Sequence, residues 1–342
     1  MAGVRVVTGD GGEARDTFVR GHPEGSVFHL AAFGRAVERT FGHRQVDLLA
    51  LRDRRIVGVL PLGRVRSLLF GDRLVSVPFG VYGGPLAADR EAGVALLDAA
   101  AMSTSGLRHV EVRCRRDGPP GWAPRRLYAT FVGPLEASDE EFIAARPKET
   151  RRQIRIGRSF GLRPETGFGN LSSFYDLFER GYRDHGTPVF PRCWFGALRD
   201  ALGEDCEIIA LRDPRSGTVV AAVLCFCFRD EVQPFYVGTS PDWLGRKVTH
   251  TLYAEVARWA RDRGAARFDF GRSKRGTGSF SFKCHWGFEE IDLDYRYLLV
   301  GDREVPDLSP LNRRYRVAID VWRRVPLPVA RTLGPLLVRG IG

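Results

Sequence analysis

Between residues 26 and 40 the apolar positions Phe28, Ala32, Phe33, Ala36 and Val37 fall at helical spacing, which predicts an amphipathic helix. The pattern then changes. Residues 46–53 and 56–62 are apolar runs on either side of a charged turn at 53–55, the outline of a β-hairpin. Further strands are predicted over 64–70 and 74–79. Gly80, Gly83 and Gly84 interrupt them before a helix over 89–105 and a strand over 110–114.

Past Arg151 the same order returns. An aromatic-rich helix is predicted over 172–184 and a shorter one over 193–201, followed by a hairpin with strands over 208–213 and 219–226. Ala50 and Ala210 occupy equivalent places in the two hairpins. A strand around Gln233 to Phe235, a glycine-bearing loop over 238–245, a helix over 247–264 and a strand over 267–270 then parallel the elements from 77 to 113. This repetition of element order, over about 70 residues, points to an internal duplication. Each unit contains a strand, a glycine loop and a helix, an arrangement that leaves a helix N-terminus free for an anion. The boundary is expected between 136 and 151, giving an N-terminal domain over 1–145, a C-terminal domain over 146–302 and a basic apolar tail over 303–342. The tail holds seven arginines in 308–342. Pro310, Pro326, Pro328 and Pro335 are expected to prevent a long amphipathic helix there, so that the tail packs on its own domain or lies against anionic lipid.

A length of 342 residues agrees with two domains, since single cores stop growing at roughly 250–300 residues. The composition, 44% hydrophobic and 27% charged, is that of a globular chain. Fifty-two basic residues against 41 acidic ones leave a formal charge of +11, which favours anionic partners: nucleic acid, phosphorylated small molecules or an anionic membrane face. The start has no apolar signal region and no run reaches the ~18 apolar residues of a membrane span, so a cytoplasmic location is expected. The six cysteines are scattered and lack ligand spacing, which predicts reduced thiols, no disulfide framework and no structural metal. Cys225 and Cys227 share one face of an apolar strand and are expected in the core.

The stretch from Phe268 to Phe288 is the least like scaffold. It opens as a strand and becomes a loop with Gly271, Gly276 and Gly278 among the cations Arg272, Lys274 and Arg275. After Ser279, aromatic residues alternate with small or polar ones, which reads as a second strand. The glycine spacing lacks the third glycine of a dinucleotide fingerprint, and Thr277 stands where a P-loop needs lysine. No nucleophile elbow, zinc-protease motif or helix-turn-helix is present. What remains is cations, aromatics and a backbone nest. Lys283, between Phe282 and Trp286, is either a solvated surface charge or, facing a cleft, a desolvated ammonium able to stabilise an oxyanion. Asp269 either pairs with Arg272 or Arg267 or serves as a base. Residues 148–158 form a predicted basic helix with Arg151, Arg155 and Arg158 on one face, suited to phosphate contacts or simply solvated. His185 and Thr187, in a turn-rich segment ending at Pro191, read as a connection or as an ordered loop near a ligand, with His185 as a possible general base.

Taken together, FDFGRSKRGTGSFSFKCHWGF, HGTPVFP, KETRRQIRIGRSFG, FGDRLVSVPFGVYGG and NRRYRVAIDVWRRVPLPVARTLGP resemble the FemAB-like proteins. The nearest branch is the one associated with exosortase (PEP-CTERM) systems and exopolysaccharide loci of Gram-negative bacteria. The resemblance runs from about Ser26 to Gly342. It implies an α+β fold of two tandem GNAT (acyl-CoA N-acyltransferase-like) domains, in keeping with the duplication. It also implies acyl or aminoacyl transfer to an amine or hydroxyl of a peptidoglycan or exopolysaccharide precursor, with Lys283 and its neighbour Phe282 by the reacting carbonyl. Arg151 and Arg155 are the nearest matches to the family's phosphate-holding residues. Arg272, Lys274, Tyr82, His185, Thr187 and Trp286 complete the expected substrate-binding set. No bound cofactor or metal is implied; the acyl donor would be aminoacyl-tRNA or acyl-CoA. Partners would be an anionic or lipid-linked glycan precursor, aminoacyl-tRNA and the inner face of the membrane. The heptad-rich arm of some bridge-forming relatives is missing, and residues 238–247 lack the usual CoA-binding pattern. The competing reading is a non-catalytic module that binds a lipid- or nucleotide-linked saccharide at the membrane.

Overall fold

The computed structural model describes residues 3–67, 70–302, 304–305 and 316–342. Both predicted hairpins form. The first half runs β1 (Arg5–Thr8), α1 (Gly12–Gly21), α2 (Ala31–Phe41), β2 (Arg44–Gln45), β3 (Leu48–Arg52), β4 (Arg55–Leu60), β5 (Gly63–Ser67), β6 (Gly71–Val75), β7 (Leu86–Ala87), α3 (Arg90–Met102) and β8 (His109–Cys114). Asp53 and Arg54, both at positive φ, make the tight turn that joins β3 to β4. Asp89 caps α3 by accepting from the Ala92 amide at 2.9 Å. Next come β9 (Ala123–Arg125), β10 (Tyr128–Pro134), α4 (Asp139–Ala144) and α5 (Lys148–Arg158).

The second half repeats the plan with β11 (Arg163–Thr166), α6 (Leu171–Asp184), α7 (Arg192–Leu202), β12 (Cys206–Arg212), β13 (Val219–Phe228), β14 (Glu231–Thr239), α8 (Pro241–Leu244), α9 (Val248–Arg261) and β15 (Arg267–Asp269). It continues through β16 (Ser273–Lys274), α10 (Gly278–Cys284), β17 (Glu289–Asp292) and β18 (Asp294–Leu299). The last described helices are α11 (Arg316–Trp322) and α12 (Leu327–Ile341).

The sheets do not respect a single cut in the sequence. Strand β10 lies in the second half's sheet, antiparallel to β15 and β16 on one side and β17 on the other. Strand β18 crosses the other way and lies between β8 and β9. A boundary at 145/146 therefore fails to describe the sheets: each half is completed by a strand from the other, and the chain crosses over at 126–127 and again at Leu293. The correction has a plain cause, because strand pairing is non-local and leaves no trace in local periodicity.

In each half the central parallel pair touches only briefly. Strand β6 meets β8 at Leu74 and Val75, and β14 meets β15 at Glu231 and Val232. Beyond those residues β14 runs on to Thr239 while β15 ends at Asp269, so the two diverge and open a wedge. The seam between halves is itself a core. Helix α2 packs on α7, with Phe33 edge-on to Trp194 at 5.9 Å and Phe28 edge-on to Phe226 at 5.8 Å.

Two local expectations are corrected. Residues 278–284 are helical, not extended. Thr277 accepts from the Phe280 amide as an N-cap, and Phe280 then packs on Phe131 one turn before Lys283, which outweighs the alternation of aromatics. The C-terminal prolines do not prevent a helix. Pro328 falls in the first turn of α12, where its missing N–H costs nothing, and Pro335 is tolerated inside the helix. No described helix is long and apolar enough to cross a membrane. Pro310 and Arg313 to Arg314 lie outside the described residues.

Candidate functional site

The wedge between β14 and β15 is a cavity of ≈ 410 Å³. One wall is β14, from Pro234 to Val237. The opposite wall is Phe270, Gly271 and Arg272, the first half adds Phe79, Val81 and Arg113, and α12 closes one side with Val338 and Ile341. Its lining is aromatic and carries three cations, Arg113, Arg272 and Lys283, without an aspartate or glutamate side chain. Such a site suits a partly apolar ligand that carries or develops negative charge.

Lys283 reaches the cavity through an interruption in a strand. Val132 of β10 pairs with Asp269 and Tyr128 pairs with Lys274, so β15 and β16 are one strand broken by a bulge at 270–272. Gly271 takes a φ of 67°, open to glycine without strain. The bulge turns two carbonyls toward α10, and Lys283 Nζ donates to Phe270 O at 2.6 Å and to Gly271 O at 3.0 Å. An ammonium has three donors, so one remains for a ligand. Burial lowers the Lys283 pKa to about 8; Asp269 opposes that shift and Arg272 adds to it.

Asp269 fixes the bulge. Its carboxylate is fully buried and accepts from the Gly271 amide at 2.7 Å, from Tyr82 Oη at 2.8 Å, from Arg115 at 2.7 Å, from Gln233 at 3.3 Å and from the Thr130 hydroxyl. Tyr82 and Arg115 come from the first half, so this cluster joins the halves directly beneath Lys283. Arg115 also grips Glu231, at 2.6 and 3.1 Å, and lies over the Tyr82 ring at 4.3 Å. Burial and the Asp269 charge raise the Glu231 pKa, and burial raises that of Tyr82.

Arg272 stacks over Tyr128 at 4.9 Å and Tyr295 at 5.9 Å, and no described carboxylate pairs with it. Burial disfavours its charge, but Tyr295 and Tyr128 leave its pKa raised. Arg113 is tied down: it bonds Glu111 at 2.8 Å, the carbonyls of Val77 and Gly80, and Gly342 O at 3.3 Å. Val77 and Phe79 both hold positive φ in the loop that Arg113 braces, a conformation rare for such residues and one that sets the Phe79 ring in the cavity wall.

Of the sequence-predicted residues, Lys283, Arg272 and Thr187 line the cavity, and Tyr82 lies in the cluster beneath it. The others are placed elsewhere. Arg151 donates to Ala144 O at 3.0 Å, Arg155 is exposed, and Arg158 is paired with Asp139 and Glu255. The basic face of α5 therefore does not converge on the cavity. His185 is exposed at the end of α6, its Nδ1 2.5 Å from Gly181 O, and it does not line the cavity. Lys274 belongs to β16 and does not line the cavity. Trp286 is fully buried, stacked on His250 at 5.9 Å, and is core. Phe282 packs on Tyr253 at 5.7 Å behind Lys283. In the expected nest over 271–278, the Gly271 amide binds Asp269, the Arg275 amide binds Leu127 O and the Thr277 amide binds Lys274 O, so these three are not open to an anion. Asp269 pairs with Arg115, neither with Arg272 nor with Arg267, which instead meets Asp230.

Sequence reasoning missed Arg113, Arg115 and the tyrosines Tyr182, Tyr236 and Tyr253. A signal for the arginines exists. His109, Glu111 and Arg113 alternate with Val110, Val112 and Cys114 on β8, and all six are buried, so one face of an interior strand is charged.

Residues 144–283 match the acetyltransferase (GNAT) domain family. No curated protein matches the sequence. Among solved structures, FemX superimposes with a TM-score of 0.68 at 15% identity, covering 92% of this chain and 100% of FemX. L-PGS from Bacillus licheniformis gives 0.56 at 15% identity, over 91% of this chain and 96% of that one. A tandem GNAT protein from the clavulanic acid biosynthesis pathway gives 0.54 at 11% identity, over 88% and 100%. The fold is a tandem GNAT fold, with mixed sheets flanked by helices.

Proposed function

We propose that the chain is a FemAB-like acyltransferase whose reaction takes place in the cavity between its halves, with Lys283 as the catalytic cation. The observation that carries this reading is the placement of Lys283 Nζ: two carbonyls of the strand bulge hold it, its surroundings are desolvated, and its third donor is unspent. In the reaction, an amine or hydroxyl of the acceptor attacks the donor's carbonyl carbon. Negative charge grows on the carbonyl oxygen, and the Lys283 ammonium, already oriented, stabilises it there. The tetrahedral intermediate collapses with loss of the donor's alkoxide or thiolate, which takes up the proton lost by the acceptor. Arg272, stacked and without a carboxylate, would hold an anionic part of the substrate.

The acceptor class we favour is a peptidoglycan or exopolysaccharide precursor, in line with the sequence resemblance. The donor is aminoacyl-tRNA or acyl-CoA. One feature bears on the choice: helix α8 fills the segment before α9, and the amides of Trp243, Arg246, Lys247 and His250 bond to carbonyls within it. That leaves few free N–H groups at the start of α9 for a pyrophosphate, and favours the aminoacyl ester. The deciding experiment incubates purified protein with charged tRNA or with acyl-CoA and a panel of amino- and hydroxyl-bearing wall precursors, and follows acyl transfer by mass spectrometry. Product from charged tRNA alone is expected. Absence of transfer from both donors, with binding of the saccharide intact, would leave the non-catalytic module as the function.

A further inference from the structure

Helix α12 is packed the wrong way round for an ordinary amphipathic helix. Its buried positions are Ala330, Gly334 and Val338, while Val329, Leu333, Leu336 and Leu337 are 43%, 44%, 67% and 41% exposed. A surface helix normally turns its large apolar side chains inward. Here the small residues bring the backbone against the protein: a Cβ on Gly334 would meet Val189 O at 2.5 Å and Val189 N at 2.8 Å. Arg331 clamps the helix to Glu179 of α6 at 2.6 Å, and Arg73 holds the carbonyls of Gly340 and Ile341. The leucines thus point outward from a helix that is firmly seated. Val317 and Val321 of α11 are likewise 73% and 58% exposed.

The charge around this face identifies its partner. Residues 321–342 contain four arginines and no aspartate or glutamate. Arg324 and Arg339 are exposed and have no carboxylate partner among the described residues. A second copy meeting this face about a two-fold axis would set like charges against each other. An anionic bilayer offers hydrocarbon for the leucines and negative headgroups for the arginines. We propose that α12 is an interfacial helix that docks the protein on anionic membranes, with Leu333, Leu336 and Leu337 in the acyl boundary. The same helix lines the reaction cavity with Val338 and Ile341, so docking sets that cavity beside the headgroups, where a lipid-borne acceptor would be presented. Only this last clause rests on the transferase reading; vesicle binding does not.

The test is co-sedimentation of the full chain with vesicles of phosphatidylcholine alone or mixed with phosphatidylglycerol. Binding is expected to the mixed vesicles, weakened by salt, and reduced roughly tenfold or more in the Leu333→Glu/Leu336→Glu/Leu337→Glu variant. That variant should keep the wild-type melting curve, because these side chains make no core. Arg324→Glu, outside α12, should weaken binding to anionic vesicles in the same direction. No binding to mixed vesicles, or equal binding by the triple variant, overturns the proposal. So does a triple variant that converts a dimer to a monomer in light scattering, which would assign the face to a second copy. Loss of acyl transfer with vesicle binding intact would count against the transferase reading and leave this one standing.

Discussion

Tyr82 Oη donates to Asp269 Oδ2 at 2.8 Å, and with this bond the first half of the chain is fastened to the strand bulge that holds Lys283. Both partners are buried, Tyr82 at 3% and Asp269 at 0% exposure. Tyr82→Phe removes one donor and leaves four on the carboxylate, so a loss of about 1–2 kcal/mol is expected in urea unfolding. Asp269→Asn is harsher, because an amide cannot accept from all five donors around the carboxylate and Arg115 keeps only Glu231 as a partner. A loss of about 3 kcal/mol or more is expected, and equal stability of the two variants would show that the cluster is not a latch.

Lys283→Ala should abolish transfer with little effect on folding. Removal of one oxyanion donor costs on the order of 100-fold or more in rate, while the side chain contributes its stem at the edge of a cavity. Full turnover by this variant would rule out the assigned role.

The pH dependence discriminates between two uses of the same lysine. As a cation, Lys283 should support activity at neutral pH and lose it as pH rises through about 8. As a neutral base it would give the opposite limb. In Asp269→Asn the charge that holds the lysine's pKa up is gone, so the falling limb should move to lower pH. Stability runs the opposite way. Between about 8 and the ordinary 10.5, the unfolded chain binds a proton that the folded one has released, so the Lys283 contribution to stability grows with pH across that window.

Arg272→Ala and Arg155→Ala separate the cavity from the basic helix. Arg272 stacks in the cavity without a carboxylate, so its loss should raise KM for an anionic substrate by roughly tenfold or more. Arg155 is exposed on α5, and its loss should leave KM within about twofold. A large effect at Arg155 and none at Arg272 would relocate the anion site to α5.

His29 predicts acid sensitivity away from the site. Its Nε2 donates to Gly84 O at 3.0 Å while Nδ1 accepts from Ser26, and burial lowers its pKa to about 4. Below the ordinary 6.5 the unfolded chain binds a proton that the folded one refuses, so stability falls on acidification. At pH 5 the loss is on the order of 2 kcal/mol. His29→Gln should flatten that slope in melts run from pH 7 to 5.

The duplication was legible because its evidence is local: alternating apolar runs around charged turns read the same at Leu48 to Arg52 and at Ile208 to Arg212. Lys283 was legible from its aromatic neighbours and from resemblance. Its helix was not, since Phe280 and Phe282 mimic a strand period and only the Thr277 cap with the packing of Phe280 on Phe131 decides the matter. The partners of Asp269 were misread because sequence proximity favours Arg267 and Arg272, whereas the chain folds Arg115 in from 154 residues away. The basic face of α5 was a correct helix with a wrong destination; helical spacing says which residues share a face but not what that face meets.

The crossing of β10 and β18 also governs how the molecule can be made. The first half's sheet has a gap between β8 and β9 until β18 emerges from the ribosome near Leu299, long after the strands that flank it. Until then two strand edges stand open beside an aromatic seam, a state that invites association with other chains or capture by a chaperone. Neither half can be expected to fold when expressed alone, whereas the two, broken at a loop and produced together, could still complete each other.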